Sequence, residues 1–174
     1  MAVYQYYLEV LPKEGILKKH NLIPSHIKVS TETGYFESDS ELYWNEVKYS
    51  SENIITKIDS IIDRANWGNN KTSFEWKRYT ETLDNDVSIY LNESDFTIKE
   101  FSFRADLREE NLEFLKNMIK LANENEWFFM DRNGLLINPN LEELINNILK
   151  SNAYKFLENP NNFFDDLEKN KPIA

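Results

Sequence analysis

The sequence predicts an α+β fold: one domain, a largely antiparallel sheet, helices packed mainly on one face and a helical C-terminus. Three observations predict it. Strand-like alternation is clustered mid-chain, helix-like apolar stripes follow it, and no internal repeat, Gly/Ser linker or low-complexity tract divides the 174 residues. A chain of 20.7 kDa can bury a sizeable core, and 41% hydrophobic with 14% aromatic content supplies one.

Residues 3–11 alternate, with Tyr4, Tyr6, Leu8 and Val10 on one face and Pro12 closing the strand. Residues 13–20 read as a short helix, ended by the region from Asn21 to Pro24. From Ser25 to Tyr49 periodicity is poor: a strand at 27–29, an acidic loop, and a further piece at 41–44. Ser50 or Ser51 caps a helix, SENIITKIDSIIDRA, whose Ile54, Ile55, Ile58, Ile61, Ile62 and Ala65 form one stripe before Trp67 and Gly68 stop it. Strands are predicted at 73–80, 86–92 and 98–107, the last two joined through NESDF. A helix over 110–125 turns Leu112, Leu115, Met118, Ile119 and Ala122 inward.

Strands at 127–130 and 135–137 flank Asp131-Arg132-Asn133-Gly134, a tight-hairpin signal because Asn and Gly tolerate positive φ. Asn138 before Pro139 pairs a cap with a first-turn proline and starts a helix to about Lys150. Asn159-Pro160 repeats the device before a last helix bearing Phe163, Phe164 and Leu167, with residues 170–174 expected to fray.

Composition narrows function. The absence of cysteine removes disulfides, thiolate catalysis and Cys-based zinc sites. The start, MAVYQYYLEV, has no signal-peptide pattern and no stretch approaches membrane-spanning length, so the expected compartment is the cytoplasm. Thirty acidic against twenty basic residues give a net charge of −10. That field repels nucleic acid and anionic lipid and attracts a basic protein.

FSFRADLRE sends Phe101, Phe103, Ala105 and Leu107 to one side and Ser102, Arg104, Asp106 and Arg108 to the other. Matching the apolar faces of 86–92 and 98–107 places Ile89 near Phe101 or Lys99 and Asp84 or Asp86 across from Arg104. The resulting polar face reads first as ordinary cross-strand charge pairing, and second as a protein-recognition surface. Tyr35, Phe36, Tyr43, Trp44 and Tyr49 crowd an acidic segment with alternating Glu37, Asp39 and Glu41. That segment is a solvated strand face or a patch for a basic partner.

The enzymatic readings are weaker. Asp84-Asn85-Asp86 matches a bare acid-x-acid metal pattern, but no Gly-rich phosphate cradle accompanies it, and a turn is the preferred reading. Asp63, Glu75 and Lys77 loosely resemble the acid, acid-x-Lys arrangement of restriction-type nucleases, on a chain whose charge opposes DNA. His20 and His26 have no partners at ligand spacing, so no metal or cofactor is expected.

SNAYKFLENPNNFFDDL, together with FSFRADLRE and the helix and hairpin between them, resembles a group of small acidic bacterial proteins of the toxin-immunity type. The resemblance covers roughly residues 86–167 and rests on a strand, a hairpin and Asn-Pro caps. It carries no functional residue with it. It implies a non-enzymatic protein that occludes a basic, toxin-like partner. The alternative is a metal-dependent, nuclease-like or phosphate-handling enzyme using Asp84 and Asp86, or Asp63, Glu75 and Lys77.

Overall fold

A computed structural model describes residues 4–30, 32 and 36–159. Tyr35, the expected last helix and the expected fraying at 170–174 lie outside the described residues.

The α+β fold class is as read from the sequence. Six strands, β1 (Gln5–Pro12), β4 (Ser73–Tyr79), β5 (Asp84–Leu91), β6 (Ile98–Asp106), β7 (Trp127–Met130) and β8 (Leu136–Ile137), form one sheet in the order β4-β5-β6-β1-β7-β8. Every pairing in it is antiparallel. Two short strands, β2 (Val29–Ser30) and β3 (Glu37–Ser38), pair separately.

Alternation then decides what each face meets. Tyr6, Leu8, Val10, Trp76, Val87, Ile89, Phe101, Phe103, Trp127 and Phe129 share the main core. Against them pack Ile54 and Ile58 of α3 (Glu52–Asp59), Phe114, Leu115 and Met118 of α4 (Glu113–Glu124), and Leu144 and Ile148 of α5 (Leu141–Ile148). Each such side chain removed from water contributes about 1.5–3 kcal/mol before entropy is counted. Trp127 is the hub of the aromatics, edge-on to Trp44 at 5.5 Å, Tyr49 at 5.4 Å and Phe101 at 5.7 Å between ring centres.

Among the described residues, the opposite face is closed at its β1–β7–β8 end. There Leu11, Met130 and Leu136 meet Ile16 of α1 (Lys13–His20), Ile27, and Tyr43 of α2 (Ser40–Val47), with Phe36 packed alongside.

Several sequence expectations change. Residues 41–44 lie in the helix α2, not in a strand, and from it adjacent Tyr43 and Trp44 reach two different cores. The α3 helix stops at Asp59. The chain beyond it leaves the helix to pair with β4, Ala65 N–H donating to Glu75 O at 2.9 Å and Lys77 N–H to Asp63 O at 3.0 Å. Ile62 and Ala65 are still buried, so the apolar stripe is honoured without the helix.

Residues 110–112 form a 3₁₀ turn before α4. The Asn138-Pro139 cap is displaced: Asn140 caps α5, its side-chain oxygen accepting from Glu142 N at 2.9 Å and Glu143 N at 3.2 Å. The helix ends at Ile148 rather than near Lys150, and Ser151 caps an unforeseen helix, α6 (Asn152–Glu158). At the β7–β8 tip only Gly134 uses positive φ, at 80°. A Cβ there would collide with the Ile27 carbonyl oxygen, which fixes the tip against the chain before β2. Among the described residues no helix is long and apolar enough to cross a membrane.

Candidate docking face

The period-2 register sends the polar side chains of β4, β5, β6 and β1 to the face away from the main core. Asp86 pairs with Arg104 on one side and Lys77 on the other. Arg104 grips it with both arms of the fork, Nε to Oδ1 and Nη2 to Oδ2, each at 2.8 Å. Lys77 Nζ donates to Asp86 Oδ2 at 2.9 Å and also pairs with Asp84. Gln5 Nε2 donates to Asp84 O at 2.7 Å. Arg104 is half-exposed as expected, but Asp84 and Asp86 are only 9% and 7% exposed.

Burial works against the charges of Lys77 and Arg104. Hydrogen bonds and charge from Asp86, with Asp84, more than offset it and hold both pKa values above their ordinary ones.

Asp84-Asn85-Asp86 is strand and not turn, because side chains replace missing ladder partners at its start. Asp84 N–H donates to the Asp106 carboxylate at 2.7 Å, and the Asn85 side-chain oxygen accepts from Asp106 N at 2.6 Å. Asp106 is fully buried, and its other contacts go to Arg108, whose Nη2 lies at 2.6 Å. Arg108 also covers the Tyr4 ring, so it clamps the end of β6 and stands apart from the Asp86 cluster.

The same face continues to the acidic segment. Tyr7 O–H donates to Glu9 Oε1 at 3.1 Å, Ser38 O–H donates to Glu9 Oε2 at 2.6 Å, and Phe36 lies edge-on to Tyr7 at 5.6 Å. Burial raises the Glu9 pKa, opposed by hydrogen bonds from Ser38 and Tyr7. Glu37 and Asp39 are exposed, and Glu41 pairs with Lys99 at 3.4 Å. The three do not form one strand face, because Glu37 belongs to β3, Asp39 precedes α2 and Glu41 sits in its first turn.

Two members of that segment are not surface residues. Trp44 is fully buried, its indole N–H donating to Val10 O at 3.0 Å, and Tyr43 is 5% exposed with its hydroxyl 3.0 Å from His20 Nε2. Their placement in two cores corrects the expectation that they contact a partner. Exposed aromatics on the polar face are Tyr79 at 71% and Tyr90 at 41%, neither of them among the candidate partner contacts read from sequence. Their signal was available, since each shares the even-odd phase of Lys77 or Asp86.

Except for Asp63, the residues of the enzymatic readings are held by protein groups. Glu75 accepts from Ser88 at 2.5 Å and Tyr90 at 2.9 Å, while Lys77 is bound to Asp84 and Asp86. Asp63 joins Lys77 through its backbone carbonyl and is otherwise exposed. Among the described residues no group of three or more His, Asp or Glu could hold a metal ion. No protein-family model, curated protein or solved structure matches the chain.

Proposed function

We propose that this protein is a non-enzymatic binder of a basic protein, an immunity-type factor that occludes a cationic cleft. One observation carries the reading: on the open β4–β5–β6–β1 face the charged side chains are locked in a cross-strand lattice while Tyr79 and Tyr90 stand exposed beside it. Tyrosine with fixed charges is the composition of interface hot spots, and a lattice that is already ordered loses little side-chain entropy on docking. Carboxylates Glu75 and Glu100 on this face, with Glu37, Asp39 and Glu41 at its β1 end, add a local acidic rim to the net charge of −10. A metal-dependent reading has less support, because Glu75, Asp84 and Asp86 already serve protein donors.

The test is capture from the native lysate by the wild-type chain and by a Tyr79→Ser/Tyr90→Ser/Glu75→Lys variant, with identification of what is retained. A basic polypeptide held by wild type and lost by the variant is the expected result. Its association rate should fall with salt, as the Debye length shrinks from about 10 Å at 0.1 M to about 3 Å at 1 M, and with charge reversal at Glu37, Asp39 and Glu41. Equal retention by both chains, or a salt-independent rate, sinks this face as the interface.

A further inference from the structure

Nearly every cation of the sheet has a carboxylate: Lys77, Arg104 and Arg108 are each bound to aspartate. Arg132 departs from that pattern. It lies at the tip of the β7–β8 hairpin, its Nε buried without a hydrogen-bond partner and its guanidinium 4.8 Å from the centre of the Tyr7 ring. The adjacent Asp131 does not serve it. That carboxylate is occupied by the turn, accepting from Asn133 N at 2.8 Å and Leu135 N at 3.0 Å. Burial and the charge of Arg104 both press the Arg132 pKa below its ordinary value, the mark of a cation lacking a compensating anion.

Arg132 lines a groove of about 680 Å³ between the start of β1, the hairpin tip and the α5–α6 junction. That volume is in the range of small-molecule sites, roughly 300–1,000 Å³. Across the groove stands Lys150, which makes no ion pair among the described residues, and Asn147, Ser151 and Asn152 supply uncharged hydrogen-bonding groups. A positive spot inside a strongly negative molecule does not gather anions generally, because the long-range field repels them. Only a ligand that fits the groove gains the contact.

We propose that this groove binds a small organic anion, with a carboxylate or phosphate held by the Arg132 guanidinium, Lys150 as second cation, and the polar remainder on the asparagines. A planar fork presents paired donors that match either oxyanion. The groove shares Gln5 and Tyr7 with the β1 end of the docking face, but its ligand carries charge opposite to that of the partner proposed there.

Titrations of the full chain with citrate, inorganic phosphate and adenosine monophosphate test it, read by calorimetry and by amide chemical shifts. The expected result is saturable binding of at least one probe with a Kd of about 1 mM or tighter, with shifts confined to residues 5–7, 131–135 and 147–153. Arg132→Gln should weaken it at least tenfold, Arg132→Lys less, and the exposed Lys150→Gln about threefold, near 0.6 kcal/mol. Citrate alone binding assigns a carboxylate ligand; phosphate and the nucleotide alone assign a phosphate. No saturation with any probe, or binding by Arg132→Gln as tight as by wild type, overturns the proposal.

Discussion

On one face of the β5–β6 hairpin Val87, Ile89, Phe101 and Phe103 are sealed in the main core; on the other Asp86, Ser88, Ser102 and Arg104 stand in cross-strand pairs. The two sets are the same strands counted alternately. The apolar set is stabilised by removal from water and by packing, which have no preferred direction and are shared among many neighbours. The polar set is stabilised by a few directed contacts, and each charge in it is tolerable only because of its partner. A change on the first face therefore costs in proportion to the volume removed. On the second face the cost depends on what is left behind.

The sharpest break of the contrast is Phe103→Ala. Phe103 is 1% exposed and edge-on to Phe129 at 5.2 Å and Phe114 at 5.9 Å. Its removal should lower unfolding free energy by about 3–5 kcal/mol in urea titration.

Asp86→Ala comes next. It strands Arg104 and leaves Lys77 with Asp84 alone, with an expected loss of about 1.5–3 kcal/mol. Removing Arg104 and Lys77 as well, in an Asp86→Ala/Arg104→Met/Lys77→Met chain, should lose less than the sum of the separate effects. Strict additivity in that cycle would mean the polar face is not a coupled lattice.

The smallest effect is at Glu9. Its folded pKa is raised by burial, so its contribution to stability is full below the ordinary carboxylate value of 4.5 and is lost as pH climbs through the raised value. Glu9→Gln should therefore gain on wild type by about 1 kcal/mol or less at neutral pH and show no such gain in acid. Unfolding midpoints across a pH series check it, and an advantage that grows toward acid would reverse the sign argued here.

How far the sequence could be read follows the same physics. The phase of the β5–β6 pairing was legible because two apolar faces with period 2 admit one phase, which left Asp84 or Asp86 for Arg104; the fold selects Asp86. The α2 segment was not, because Tyr43 and Trp44 are buried in different directions, which blurs any single stripe. The early end of α3 was hidden for a related reason: Ile62 and Ala65 keep the helical stripe but are buried by pairing with β4, a long-range contact that local periodicity does not encode. The candidate site was half visible. Asp84, Asp86 and Arg104 came from register, while Lys77 was read as part of a metal set until the fold placed it between the two aspartates. Arg132 was read only as a turn residue, since nothing in Asp131-Arg132-Asn133-Gly134 reveals that its aspartate is spent on backbone amides.

β1 is hydrogen-bonded along both edges, to β6 through pairs such as Gln5 with Asp106 and to β7 through pairs such as Glu9 with Met130. During synthesis β1 is made well before either of its partners, β6 and β7, which lie far downstream of it. The nascent protein must therefore carry a β-forming segment with two open edges for much of its translation, the condition under which wrong strand pairing and aggregation compete with folding. Pairing β1 with β6 and β7 needs contacts between residues far apart in sequence, the kind of topology that slows folding.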